Sequence, residues 1–147
     1  NQVQQRVNII LPQETLDMFI AAVEKGDYEL ASKYFRDPHR KEQERILDSI
    51  NKNDKISFLV DGLKSAVPVD KEKEYKESYE LNKDIISSSE EEWINNLKEL
   101  DKDYYKMIGS FQGYEFFISF VKYPNNTWKL KDEIEIKNIS ENYFLKF

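Results

Sequence analysis

Between Gly113 and Ile136 the chain alternates twice. In the first run Tyr114, Phe116, Ile118 and Phe120 fall on one side and Glu115, Phe117, Ser119 and Val121 on the other, because successive side chains of an extended strand point to opposite faces. In the second run Trp128, Leu130, Ile134 and Ile136 share a side with Asp132, while Lys129, Lys131, Glu133, Glu135 and Lys137 take the reverse. That is the pattern of an antiparallel sheet with one wetted face. Pro124-Asn125-Asn126-Thr127 supplies the turn, since Pro fixes its own φ and Asn tolerates the left-handed region. The two runs predict a hairpin that serves as the floor of the fold.

Upstream the period becomes helical. Leu16, Phe19, Ile20 and Val23 recur at helical spacing from Pro12 to Lys25-Gly26, with Glu14 in the first turn and glycine at the end. Asp27 caps a second stripe, Leu30, Ala31, Tyr34 and Phe35, that stops at Asp37-Pro38, where a third helix starts with Ile46, Leu47 and Ile50. Ile56, Leu59, Val60 and Leu63 make a fourth, brought to an end by Gly62 and Val67-Pro68. Tyr75, Tyr79 and Leu81 fit a strand over 71–83 or a helical pair, and the fold argument favours the strand. Ser87-Ser88-Ser89 before Glu90-Glu91-Glu92 contains overlapping capping boxes for a helix carrying Trp93, Ile94, Leu97 and Leu100. Tyr105, Met107 and Phe111 lead as a strand into the hairpin, and Tyr143, Leu145 and Phe147 end the chain as another. Residues 1–11 have no clear period and are expected to fray, although Val7, Ile9 and Leu11 alternate.

Helices first and a meander afterwards give an α+β class, N-terminal helices on a curved, mostly antiparallel sheet. The chain has 147 residues, the size of one ordinary domain with a core of its own. One domain over 1–147 is therefore expected, with 84–103 as an insertion-like acidic helix.

Charge sharpens this picture. Twelve acids and six bases lie between Asp70 and Asp103, the whole surplus behind a net charge of −6. Nucleic acid and anionic membranes select clustered Lys and Arg, so neither is an expected partner. No run reaches the length of a membrane span. There is no cysteine and one histidine, His39, which removes disulfides, thiolate metal sites and multi-histidine centres. No metal and no cofactor are called for. The sequence starts at Asn1 rather than Met; a removed leader would suit an extracytoplasmic or cell-envelope protein, with the cytoplasm as the alternative.

Two segments, MFIAAVEKGDYELASKYF and EFFISFVKYPNNTWKLKDEI, together resemble the nuclear-transport-factor-2-like superfamily of cystatin-like α+β cones, in particular its uncharacterised exported bacterial branch. The first is similar to the helices that cover the cone. In the second, Asn-Asn-Thr-Trp-Lys-Leu resembles the turn and Trp-Lys-hydrophobic segment of many members. The resemblance covers the two ends of the chain, and Asp84 to Asp103 is longer than the usual connection. It implies a curved sheet wrapped around a helix, enclosing an apolar cavity that members use for catalysis or binding, or simply fill. Fold alone does not choose among these.

Phe116, Ile118, Phe120 and Trp128 are the expected lining of such a pocket, or of a filled core at the same place. Asp132 shares their face. A carboxylate desolvated there could act as a general base, as in isomerases of this fold, and an isomerase or dehydratase using Asp132 is the alternative function. A bulge, or a widening at the cone's mouth, would instead place Asp132 in water or against a backbone amide, and no matching Tyr-plus-acid set accompanies it. No catalytic residue is assigned. The favoured expectation is a non-enzymatic domain that binds a small apolar ligand or a protein partner, with Phe117, Val121 and Tyr123 on the mixed face as a possible homodimer surface.

Overall fold

A computed structural model describes residues 11–36, 40–140 and 143–146. The chain forms helices α1 (Pro12–Glu24), α2 (Tyr28–Ser32), α3 (Arg40–Lys52) and α4 (Ile56–Lys64), then strand β1 (Val67–Pro68) and helices α5 (Lys71–Asn82) and α6 (Glu90–Asp101). Strands β2 (Tyr104–Phe111), β3 (Tyr114–Lys122), β4 (Trp128–Leu130), β5 (Glu135–Asn138) and β6 (Tyr143–Lys146) complete it. All strand pairings are antiparallel, in the order β1-β2-β3-β5-β6 with β4 also on β3. The fold is α+β, with helices packed on an open, curved sheet. None of the described helices is long and apolar enough to cross a membrane. The alternation of Val7 and Ile9, the Asp37-Pro38-His39 segment and Phe147 lie outside the described residues.

Turn chemistry fixes the sheet. Gln112 and Gly113, at φ 50° and 81°, form the two-residue loop between Phe111 and its partner Tyr114, the positive-φ pair whose twist suits a tight hairpin. At the next turn Asn126 takes φ 63°, and Tyr123 N–H donates to Thr127 O at 2.8 Å. The aromatic row of β3 then faces the first four helices. Phe116, Ile118 and Phe120 join Leu16, Phe19, Val23, Leu59, Leu63 and Met107 in one buried cluster, where each large side chain withdrawn from water contributes about 1.5–3 kcal/mol.

Helix α1 ends in a Schellman arrangement, with Asp27 N–H on Ala22 O and Gly26 N–H on Val23 O, both at 3.0 Å, and Gly26 at φ 77°. The second stripe departs from the sequence reading. Helix α2 stops at Ser32, and Tyr34 to Arg36 run alongside β4: Leu130 N–H donates to Tyr34 O at 2.8 Å and Arg36 N–H to Leu130 O at 3.0 Å. Pairing with the open edge of β4 satisfies backbone groups that a longer helix would leave unmatched there. Phe35 thereby enters the core, its ring edge-on to Phe19 at 5.4 Å.

Gly62 does not terminate α4. It lies inside the helix, where a Cβ would stand 2.1 Å from the Phe116 ring. Gly109 on β2 mirrors it, since a Cβ there would meet Gly62 O at 2.3 Å. The glycine pair lets α4 sit against the sheet backbone. A larger correction concerns 71–83, which is helix α5 rather than a strand. Asp70 Oδ1 accepts from Lys73 N–H at 3.2 Å and Glu72 and Glu74 occupy the first turn, a start signal that outweighs the aromatic alternation. Ser89 caps α6 as its sequence predicts, accepting from Glu92 N–H at 3.2 Å.

Candidate functional site

The sheet offers two sides. On the side covered by α1 and α4 Phe116, Ile118 and Phe120 are fully buried. Phe58 lies 5.2 Å from the Phe116 ring and Tyr105 lies 6.0 Å from Phe120. Trp128 is half-buried at the margin, edge-on to Tyr105 at 6.3 Å. Beside it Thr15 Oγ1 donates to Trp128 O at 2.9 Å, tying α1 to β4. The three β3 residues therefore sit in contact with other side chains, and Trp128 closes the edge of the same cluster.

Asp132 lies in an interruption of the strand. Phe120 pairs with Leu130 but Phe117 pairs with Glu135, so Ile118 and Ser119 are opposed by the longer segment 131–134, a bulge that turns side chains out of register. Asp132 Oδ1 accepts from Arg36 Nη2 at 3.2 Å and Oδ2 stands 3.2 Å from Lys131 Nζ. Its side chain keeps 39% of its exposure. Arg36 reaches it because Tyr34 to Arg36 align along β4, so the pair fastens the chain between α2 and α3 to the interrupted strand.

The opposite side carries Lys106 and Ile108 from β2 beside Ser119 and Phe117 from β3, in register. Helix α5 lies over them. Between helix and sheet is a groove of about 450 Å³, with Ile108, Phe117, Pro68 and Val69 on its apolar side and Lys73, Glu74 and Glu77 along the helix. Lys106 Nζ stands 3.2 Å from Glu74. Val69 N–H donates to Lys106 O at 3.1 Å, which sets where α5 starts.

Helix α6 packs back on α5 through polar bridges. Asp101 Oδ2 accepts from Lys71 Nζ at 3.3 Å and from Tyr75 OH at 3.2 Å, Trp93 Nε1 donates to Ser78 Oγ at 3.2 Å, and Lys98 Nζ lies 3.0 Å from Glu72. Burial raises the Tyr75 phenol above its ordinary value, and the Asp101 charge and hydrogen bond add to this. No α6 side chain is fully buried. Among the described residues no group of three or more His, Cys, Asp or Glu is placed to hold a metal ion.

Sequence reasoning brought together Phe116, Ile118, Phe120 and Trp128 but missed the groove. With 71–83 taken as a strand, the mixed face had no roof. The signal that could have found it was Asp70 three residues before Lys73, with acids in the first turn and Tyr75 and Tyr79 four apart. Phe117, expected at a homodimer surface, lines the groove, while Val121 and Tyr123 are half-buried farther along β3, with Lys129 Nζ 5.3 Å over the Tyr123 ring. Compared with protein-family models, curated proteins and solved structures, the chain shows no match.

Proposed function

We propose that the chain is a non-catalytic, extracytoplasmic binding domain of the nuclear-transport-factor-2-like kind, and that its ligand is small and apolar. The observation that carries the binding reading is the groove under α5. Its volume lies in the range of small-molecule sites, and it combines apolar walls with a few convergent polar groups. The cone resemblance is supported by the order of elements, helices before an open antiparallel sheet. The filled contacts of Phe116, Ile118 and Phe120 favour the outer groove over the inner face as the place of binding. Asp132 acts as a structural partner of Arg36 and Lys131 rather than as a base.

Titration with 1-decanol, followed by methyl NMR, tests this. Saturable shifts at Ile108 and Val69, with Ile134 and Ile136 unmoved, are expected. Shifts confined to Ile134 and Ile136, or none that saturate, would contradict an outer-face site.

A further inference from the structure

At its lower end the groove meets a second hollow of about 240 Å³, and Lys106 and Ser119 line both. The character changes across that junction. The larger part sets the apolar side chains of Ile108, Phe117 and Val69 against Asp70, Lys73, Glu74 and Glu77 at the helix, an acid-rich rim, whereas the smaller is bordered by Lys71, Lys106 and Lys131, with Asp101 as the only acid among its described lining residues. Asp101 is already engaged, its Oδ2 accepting from both Lys71 and Tyr75. Each ammonium group has three N–H donors. The contacts of Lys106 with Glu74 and of Lys131 with Asp132 therefore leave donors on each lysine for another acceptor. Lys131 is also held over the Tyr104 ring at 5.4 Å, which fixes its ammonium at the rim of the hollow.

We infer that the joined cavities bind a single-chain amphiphile with an anionic head, the chain lying between α5 and the Ile108–Phe117 pair and the head among Lys71, Lys106 and Lys131. The inference rests on the groove being a ligand site and adds the ligand's chemistry to it. A carboxylate or phosphate head would take charge-assisted bonds from the lysines, and the hydrocarbon would cover the apolar wall. A free fatty acid and a phosphate monoester of a long-chain alcohol share this chemistry. A cationic head would meet three ammonium groups whose carboxylate partners, Asp101, Glu74 and Asp132, are already engaged.

Calorimetry with decanoate, decyl phosphate, 1-decanol and decyltrimethylammonium, each below its micelle concentration, decides the matter. Decanoate or decyl phosphate should bind about tenfold or more tighter than 1-decanol, the range of one charge-assisted bond, and whichever is tighter identifies the head. Lys131→Gln, which touches the smaller hollow and not the apolar groove, should erase most of that preference and leave the 1-decanol affinity in place, with unchanged circular dichroism showing that the variant folds. If 1-decanol binds as tightly as decanoate, the groove remains a ligand site and the anionic preference is refuted. If none of the four binds, both readings fall.

Discussion

Helices α1 and α4 cover one face of the sheet and α5, with α6 packed back on it, lies over the other, by different physics. On the first face Leu16, Phe19, Leu59 and Leu63 join Phe116, Ile118 and Phe120 in one buried apolar cluster. On the second, Lys71, Tyr75 and Asp101, Glu72 and Lys98, and Glu74 and Lys106 hold a hairpin whose one buried side chain, Tyr75, stands outside the core cluster. Leu81 and Leu100 keep 84% and 71% of their exposure. Apolar burial sums over many contacts and is not weakened by charge screening, whereas exposed ion pairs contribute about 0–1 kcal/mol each and are screened. The first face specifies the fold, and the second can open over its groove at little cost.

The largest expected effects fall on the dry face. Phe116→Ala should cost about 3–5 kcal/mol, as for other buried aromatic truncations. Gly62→Ala should cost about 1–3 kcal/mol, because its methyl overlaps the Phe116 ring with no space to yield. Urea unfolding followed at Trp93 and Trp128 checks both. For these variants the two tryptophans should lose signal together, and a Gly62→Ala protein as stable as the parent would remove the close approach of α4 from the account.

A smaller effect is expected from Asp101→Asn, which weakens the bonds from Lys71 and Tyr75. About 1 kcal/mol should be lost from the hairpin alone, seen as a shift of the Trp93 transition with that of Trp128 in place, and 1 M NaCl should reduce the difference. Equal shifts at both tryptophans would merge the two faces into one cooperative unit.

The smallest effect is on pH. Tyr75 has its phenol pKa raised above 10.0 in the folded hairpin, first by burial and then by Asp101. A raised folded value means that the neutral phenol is favoured by folding. Its contribution is complete below the unfolded pKa of about 10 and is lost as pH rises through the folded value. Alkaline titration should therefore change Trp93 fluorescence before that of Trp128, and Tyr75→Phe should abolish the early step. An early step that survives in Tyr75→Phe would assign it to another group.

The contrast also explains what could be read in advance. The dry face is periodic, so Leu16, Phe19, Phe116 and Phe120 declare themselves as a stripe and a row. In the polar hairpin Trp93, Ile94, Leu97 and Leu100 mark α6 but α5 has no such stripe, and Lys71, Glu72, Lys98 and Asp101 are joined across helices by contacts that no local spacing encodes. For the break of Trp128–Ile136 into β4 and β5, the sequence offered a bulge at Asp132 as one reading but not the pairing that makes it. Alternation continues through Asp132, and the bulge arises from pairing with β3 and the Arg36 contact, both remote in sequence.

Native-state hydrogen exchange read residue by residue tests the central contrast most directly. Amides of α5 and α6 should exchange through a partial opening about 2 kcal/mol or more below the global unfolding that frees α1, α4 and β3, and the gap should widen in 1 M NaCl. Protection of the hairpin at the same free energy as β3, unchanged by salt, would contradict the account.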